Sequence, residues 1–283
     1  MRMIRKQSTI VCAWMLSAGL LASFAFASDL ACGKPMTAEQ KAQRAIDVQS
    51  IQNVMGYHQI YGAPGGDHDK EIELIWAHHT AGMSFAENQG IFKGDLDVIK
   101  RLYGTAASTW MNTGFSGPAG GTGKDAGNPS AGDSSAPPKP SGNFSFRTLT
   151  TPIIEVAGDG KTAKAWWYTI GWSSSAQGDK GTAQWGFERY GIDFVKEDYD
   201  WKIWHFHVYG DFSTPYEKNW VQNAIDNNSG GKGGESTVAQ HPGLEQYYQP
   251  TVFHRMYDPK VDNNPADPPV PVPYCHFSET FSY

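Results

Sequence analysis

The sequence lacks the short motifs by which several large enzyme classes are identified. It contains no G-x-S-x-G, no H-E-x-x-H, no dinucleotide-binding fingerprint and no cysteine-nucleophile motif. These absences disfavour α/β-type serine hydrolases, zinc proteases and dinucleotide-dependent oxidoreductases. The glycine-rich run at 120–124 ends in a lysine, but no strand pattern precedes it, so it is a poor phosphate-binding loop.

Cysteine is scarce, with three in the whole chain. Cys12 lies in an N-terminal apolar run, which leaves Cys32 and Cys275 near the two ends. In an oxidising compartment this even pair predicts a disulfide that ties the two ends together, with two inert thiols as the alternative. The pair lacks the close spacing of a cysteine metal site.

Long apolar runs are also rare, and the one that stands out is at the N-terminus. Three basic residues precede an apolar run at 10–25, and Ala25-Phe26-Ala27 offers an A-x-A cleavage site. The run has 16 residues, whereas a spanning helix needs ~20. The pattern predicts a signal peptide at 1–27, with an uncleaved anchor as the alternative. We therefore expect an exported protein, periplasmic or secreted, with no membrane partner once the signal is removed.

Positive charge is in short supply. The chain has 23 Lys and Arg against 29 Asp and Glu, which gives a formal net charge of −6. Loss of residues 1–27, with three basic residues and no acidic one, would change this charge to −9. An acidic chain disfavours nucleic acid and anionic membranes as partners. A small molecule, of aromatic character for the reasons given below, is the partner that we expect.

Three helices are predicted in the first part of the chain. The first begins at a capping box at 37–40 and ends at the glycine-rich segment 62–66. The second covers about 71–76, and the third lies between 94 and 104.

His58 and Tyr61 extend the apolar stripe of the first predicted helix at its C-terminal end. Two interpretations stay open for them: packed side chains with satisfied hydrogen bonds, or part of a pocket wall. Asp67 follows the glycine-rich stop and is foremost a candidate N-cap for the second helix, a role that Asp69 could also take.

Strand signals dominate from residue 144 onward. They predict a four-stranded meander with strands at 144–156, 162–172, 183–195 and 201–212. Six tryptophans between 166 and 204 indicate an aromatic core, a pocket for a flat apolar ligand, or both. Tyr168 and Trp185 are candidate ligand contacts in such a sheet.

The last predicted strand carries two histidines. Alternation with period 2 places five side chains on one face: Trp201, Ile203, His205, His207 and Tyr209. This face would form a half-buried pocket wall with both imidazoles turned inward. The two histidines could also share a metal ion, with Asp193 or Asp211 approaching, although a third ligand with obvious spacing is missing.

Cofactor-free acid–base chemistry in a closed apolar pocket is the other candidate. A histidine or carboxylate moves the proton, and a tyrosine or arginine stabilises the developing oxyanion. Arg147 and Arg189 lie in apolar strand contexts, where a guanidinium needs an acidic partner. A structural ion pair with Glu155, Glu188 or Asp193 is the alternative for both, and we favour it for Arg189.

Two segments carry few helix or strand signals. About 116–142 is rich in Gly, Pro, Ser and Ala, which predicts a mobile insertion or lid. Residues 213–283 include a polar glycine-rich joint and a proline-rich stretch, which predicts an extended C-terminal arm.

In their order along the chain, the capped helix, the two shorter helices and the sheet resemble the SnoaL-like branch of the NTF2-like superfamily. The resemblance covers about 45–212 and is carried by 47–61, 149–160 (LTTPIIEVAGDG) and 189–212. It implies an α+β cone at 35–212, in which a curved antiparallel sheet packs on three N-terminal helices and encloses one pocket. It also implies a homo-oligomer, dimer or trimer, that works without a cofactor.

The family implies lyase activity, since it includes dehydratases, dehydrochlorinases and a formaldehyde-releasing diarylpropane lyase, beside members that only bind ligands. In the first two groups, an Asp after the first helix pairs with a His on the strand before the hairpin. Asp67 is the nearest match to that Asp, whereas Arg147 occupies the His position. The expected base is therefore His58 or His205, while Arg147 and Tyr61 bind substrate oxygens.

We therefore predict an exported, cofactor-independent lyase of dehydratase, dehydrohalogenase or deformylating type, without a metal ion, for a hydroxylated aromatic or other apolar small molecule. The predicted catalytic residues are His58, Asp67, Arg147 and His205. The predicted ligand-binding residues are Tyr61, Tyr168, Trp185 and His207. The alternative is a non-catalytic binding or assembly module of the periplasm.

Overall fold

The computed structural model describes residues 30–63, 66–88, 90–104, 144–177, 180–226, 243–250, 254, 256–262, 264 and 267–283. The predicted signal peptide at 1–27 and the whole of the predicted insertion at 116–142 lie outside these residues, as does part of the predicted arm. None of the described helices is long and apolar enough to cross a membrane.

The described chain is α+β, as predicted. Its helices are α1 (Ala38–Tyr61), α2 (His68–Ile75), α3 (Leu96–Tyr103) and α4 (Trp220–Asp226). Its strands are β1 (Leu30–Ala31), β2 (Lys34–Pro35), β3 (Met83–Glu87), β4 (Gly90–Gly94), β5 (Phe144–Leu149), β6 (Ile153–Val156), β7 (Thr162–Gln177), β8 (Lys180–Glu197), β9 (Asp200–Pro215) and β10 (Tyr248–Pro250).

The helix starts follow from their caps. The Thr37 side chain accepts a hydrogen bond from the Gln40 backbone N–H, and the Gln40 side chain accepts one from Thr37, which confirms the predicted capping box. Asp67 caps α2 by accepting from the Lys70 backbone N–H at 3.0 Å. Satisfied N–H groups in the first turn fix where each helix begins.

One eight-stranded sheet holds the domain together, in the order β10-β4-β3-β9-β8-β7-β5, with β6 also paired to β7. All its pairs are antiparallel except β3 with β9. The sheet is therefore mixed, where a purely antiparallel one was predicted. The strands β3 and β4 were not predicted, and the predicted strand at 144–156 divides into β5 and β6 around Pro152.

The helices α1, α2 and α3 pack on one face of the sheet, which we call the inner face. Apolar side chains from these helices share one buried cluster with the sheet: Ile51, Val54, Met55, Ile72, Ile75, Val98, Ile99, Leu102, Ala163, Ala165, Trp167, Tyr190, Ile192, Phe194 and Phe206. Burial of this much apolar surface is the main stabilising term for the fold.

A β-bulge at Trp204 decides which histidines face inward. Asp193 pairs with His205, and the next residue, Phe194, pairs with Ile203, so Trp204 has no partner on β8. One extra residue in a strand reverses the alternation beyond it. The predicted shared face for Trp201, Ile203, His205, His207 and Tyr209 is therefore wrong. Trp201 and Ile203 face inward, and the other three lie on the opposite, outer face.

The C-terminal residues cover part of the outer face. Tyr283 is buried against Trp166 and Tyr209, with Val270 and Phe281 packed beside them. A Cβ on Gly191 would lie 2.3 Å from the Tyr283 ring, so only glycine permits this close approach. The predicted disulfide between Cys32 and Cys275 is confirmed, and it ties these residues to the N-terminal strands.

A buried carboxylate anchors the same segment. Asp193 accepts hydrogen bonds from Lys164 Nζ at 2.5 Å, Ser282 Oγ at 2.9 Å and the Tyr283 backbone N–H at 3.1 Å, and it lies 2.7 Å from His205 Nδ1. His205 Nε2 lies 3.1 Å from the Gly82 carbonyl oxygen, which can only accept. His205 therefore serves as a donor inside an ionic cluster on the outer face.

The buried His207 should make the stability of the fold sensitive to acid. Burial, and after it the charge of His254, lowers the pKa of His207 from 6.5 to about 3. Between these values only the unfolded chain takes up this proton. Acidification from pH 6.5 toward 3 therefore lowers the free energy of unfolding by up to ~1.4 kcal/mol per pH unit from this group.

The His207→Phe variant should lose less stability than wild type between pH 7 and pH 4.5, because it removes this proton uptake. Urea unfolding at the two pH values measures the difference. An identical loss in both proteins would contradict the assignment.

Candidate active site

The inner face is lined by aromatic rings around Phe206. The ring centroid of Phe206 lies 4.9 Å from His58, 5.0 Å from Tyr190 and 5.8 Å from Phe85, all with edge-to-face geometry. The ring centroid of Tyr103 lies 6.3 Å from that of His58. His58 is the imidazole among these rings, and its nitrogens can accept or donate a hydrogen bond.

His58 forms a buried dyad with Glu71. Its Nδ1 lies 2.7 Å from Glu71 Oε1, and the Glu71 side chain is fully buried. A carboxylate can only accept, so Nδ1 carries the hydrogen and Nε2 has the lone pair. Nε2 has no hydrogen-bond partner among the described residues, which leaves it able to exchange a proton with a bound molecule.

The dyad exists because two helices end and begin close together. His58 is in the last turn of α1, and Glu71 is in the first turn of α2. Gly62 ends α1 between them, where a Cβ would lie 2.8 Å from Glu71 Oε2 and 2.9 Å from the Tyr103 hydroxyl. The glycine therefore lets these two polar groups approach the helix end.

A second ionic pair lies on the inner face of the sheet. Arg147 Nε donates to Glu188 Oε2 at 3.0 Å, and Nη1 donates to Ser145 Oγ at 3.1 Å. Burial alone would lower the pKa of Arg147, but the Glu188 carboxylate outweighs it and raises the pKa above its usual range. The guanidinium is therefore a permanent cation at the inner surface of β5.

Tyr103 and Tyr190 interact electrostatically with both the His58–Glu71 dyad and the Arg147–Glu188 pair. Burial, and after it the charge of Glu71, raises the pKa of Tyr103 well above its usual value. Burial, and after it the charge of Glu188, raises the pKa of Tyr190. Both phenols thus remain protonated at physiological pH, and they can serve as hydrogen-bond donors but not as bases.

Several buried polar atoms on this side have no hydrogen-bond partner. They are His68 Nδ1, Trp76 Nε1 and Glu188 Oε1. His68 Nδ1 lies 3.7 Å from Glu71 Oε2, which is too far for a hydrogen bond. Native interiors rarely leave such atoms unpaired, so their concentration here indicates a place for water or ligand.

The structure brings together two of the predicted catalytic residues and separates the others. His58 and Arg147 both contribute to the inner face. His205 lies on the outer face because of the bulge, and the exposed Asp67 is occupied as a helix cap. Asp67 therefore does not supply the carboxylate of the dyad; Glu71 does.

The predicted ligand-binding residues do not meet in one place. Tyr61 is half-buried at the end of α1, under the Lys70 ammonium. His207 and Tyr168 lie on the outer face, where Tyr168 packs against Trp166 and Phe187. Trp185 also lies outside, packed against Phe212 and Trp220.

Sequence reasoning missed Glu71, Tyr103 and Tyr190, and it considered Glu188 only as a structural partner of an arginine. Helical spacing offered a usable signal, since Glu71 is four residues after Asp67 at the start of a helix that follows His58 closely. Alternation on β8 offered another, because Glu188 and Tyr190 share the parity of Ile192 and Phe194.

One group of described residues has the ligand geometry of a metal site, Cys32 with Cys275 and His276. Its two sulfurs are bonded to each other, so they are not available as thiolate ligands. Among the described residues, His205 and His207 do not converge with a third ligand. The structure therefore gives the alternative of a shared metal ion no support.

A groove of about 530 Å³ lies between α1 and the turn that joins β5 to β6. It is lined by Val48, Gln52, Leu149, Thr150, Thr151, Pro152 and Ile154. None of these side chains titrates, so the groove does not supply an acid or a base.

Comparison with known proteins agrees with this architecture. Residues 94–207 match the SnoaL-like domain family. The comparison with curated proteins gives no match.

Similar solved structures include a hexachlorocyclohexane dehydrochlorinase, LinA-type3 from Novosphingobium barchaimii, at 11% identity and a TM-score of 0.40, covering 64% of this chain and 97% of that one. An NTF2-like protein with a cystatin-like fold from Novosphingobium aromaticivorans has 13% identity and a TM-score of 0.37, covering 62% and 90%. A protein from Kribbella flavida has 11% identity and a TM-score of 0.41, covering 60% and 95%. Residues 94–207 thus match a SnoaL-like domain, and the α+β fold of the described residues is consistent with this match.

Proposed function

We propose that this chain is a cofactor-independent lyase whose active site is the inner face of the sheet. The observation that carries the proposal is the buried His58–Glu71 dyad, whose imidazole packs against the Phe206 ring and whose Nε2 has no partner among the described residues. An oriented imidazole in a water-poor site is suited to general acid–base catalysis.

In this mechanism His58 Nε2 takes a proton from the substrate, and Glu71 stabilises the imidazolium that forms. Negative charge develops on a substrate oxygen or leaving group, where Arg147 and the protonated Tyr103 and Tyr190 supply donors. In elimination, the electron pair of the broken C–H bond forms a C=C bond, and the hydroxide or halide that leaves takes the proton back from His58 to depart as water or hydrogen halide. In the deformylating case the proton comes from a hydroxymethyl group; its C–C bond breaks to release formaldehyde, and the freed electron pair forms a C=C bond and expels a hydroxide, which leaves as water with the proton from His58. Every group named here belongs to the chain itself.

The substrate that we propose is a hydroxylated aromatic or other apolar small molecule. The aromatic lining of the inner face favours flat apolar groups, and the donors favour a molecule that carries oxygen. The test is incubation of the purified chain, with no additive, with phenolic diols, lignin-type dimers and halogenated rings, followed by mass spectrometry. Binding of some compounds with turnover of none would contradict the lyase and favour a binding module.

Arg147 gives a sharper test once a substrate is in hand. The Arg147→Lys variant should lower kcat/KM by about tenfold or more, because an ammonium cannot contact Glu188, Ser145 and a substrate oxygen in the same geometry. The matched control is Arg44→Lys, which alters an Arg–Glu pair with Glu155 between α1 and β6. Steady-state kinetics of both variants measure the difference, and equal effects would remove Arg147 from the mechanism.

We also propose that the chain is exported and that its N-terminal residues are a signal peptide. The disulfide between Cys32 and Cys275 supports this, since such bonds persist in oxidising compartments. The mass of the protein recovered from cells tests it: the proposal predicts cleavage after Ala27.

A further inference from the structure

Only one of the two carboxylate oxygens of Glu188 takes part in its ion pair with Arg147. Oε2 accepts from Arg147 Nε, whereas Oε1 is buried and has no hydrogen-bond partner. The residue is 1% exposed, so bulk water does not satisfy this oxygen. A buried charged oxygen without a donor is costly, and its persistence is expected where a ligand completes the bond.

Polar and aromatic side chains surround the Glu188 carboxylate. Thr169 pairs with Glu188 across β7 and β8, it is 1% exposed, and its hydroxyl contacts that of Tyr190. Tyr190, two residues along β8, shares the inner face and places its ring against Phe206. An acceptor, a hydroxyl and an aromatic wall therefore adjoin each other on the inner face.

The charges on the inner face favour a neutral ligand over an anionic one. Arg147 is already compensated by Glu188, and the His58–Glu71 dyad brings a further carboxylate. Arg147, Glu188 and Glu71 together carry a net negative charge, so an anionic ligand beside them would lose its hydration without compensation. A neutral molecule that donates a hydrogen bond fits instead.

We infer that Glu188 is the specificity-determining residue of this site, and that its Oε1 accepts a hydrogen bond from a free hydroxyl group of a neutral aromatic substrate. The inference rests on the proposed function for the location of the substrate, but it concerns recognition and not proton transfer. Such a site should bind phenols more tightly than their methyl ethers, because an ether oxygen cannot donate a hydrogen bond to a carboxylate.

The experiment measures the affinity of the full chain for 2-naphthol, 2-methoxynaphthalene and 2-naphthoate by calorimetry. Wild type should bind the naphthol on the order of a hundredfold more tightly than the ether, and the naphthoate least. In Glu188→Gln the naphthol-to-ether ratio should fall to within a few-fold, because the amide can donate to the ether oxygen. The matched control Glu155→Gln, which changes the carboxylate paired with Arg44, should keep the wild-type ratio.

Equal affinity of wild type for naphthol and ether, binding of neither, or an unchanged ratio in Glu188→Gln would each overturn the inference. If Glu188→Gln does not fold, the wild-type ratio alone decides. His58→Gln should keep the ratio while losing turnover. A Glu188-dependent ratio without turnover of any compound would refute the lyase and leave the recognition site standing.

Discussion

Replacement of His58 by glutamine is expected to lower kcat by about 10²- to 10⁴-fold, the usual contribution of a general acid–base group. The amide keeps a hydrogen bond to Glu71 but cannot carry a proton between the dyad and the substrate. The thermal unfolding temperature should change little, because the amide retains the size and the polar contact of the imidazole. Turnover of the substrate found in the panel measures the effect.

His205→Gln is the matched control for this variant. His205 is also buried and also lies 2.7 Å from a carboxylate, that of Asp193, but on the outer face. Its replacement should reduce thermal stability and leave kcat near wild type. Loss of turnover in His205→Gln with full activity in His58→Gln would place the chemistry on the other side of the sheet.

Replacement of Asp193 by asparagine is expected to lower the free energy of unfolding by about 3–5 kcal/mol, as for other broken buried ion pairs. Lys164 is 0% exposed, and its ammonium would lose its anionic partner beneath the rings of Phe277, Phe281 and Tyr283. Burial already lowers the pKa of Lys164, so the uncompensated group would be costly in either protonation state.

Urea unfolding measures this loss against Asp226→Asn. Asp226 pairs with Lys218 at the surface, with both side chains more than two-fifths exposed, so its replacement should change the stability little. Similar losses in the two variants would show that Asp193 does not anchor the C-terminal segment. The folded Asp193→Asn variant should keep its activity, because the cluster lies outside the inner face.

Local signals were sufficient to predict α1, α2, α3 and most of the sheet, whereas α4 lies in the stretch that was predicted to be extended. The capping box, the glycine-rich stop and the long β7–β9 meander each depend on residues close in sequence. The strands β3 and β4 were missed because their pairing is not local: β3 joins β9, more than a hundred residues away, in parallel. Short strands of this kind have few residues in which alternation can be seen.

The candidate site was harder to predict than the fold, because it depends on contacts between residues far apart in the sequence. Strict alternation along β9 assigns His205 to the inner face, and one unpaired residue, Trp204, reverses that assignment. Nothing in the local sequence around Trp204 marks a bulge. The partners of the candidate residues were equally hidden, since Arg147 pairs with Glu188 and Arg189 with Asp211 through contacts set by the register of β5, β7, β8 and β9.

If ligands bind at the inner face beside His58, nitrogen-15 NMR of the histidine-labelled chain should detect the binding at that ring. Titration with 2-naphthol should shift the ring resonances of His58, with the same saturation as in calorimetry, and leave those of His205 and His207 in place. The variants His58→Gln, His205→Gln and His207→Phe assign the three signals. Shifts at His205 and His207 without any at His58 would contradict the account and return the site to the outer face.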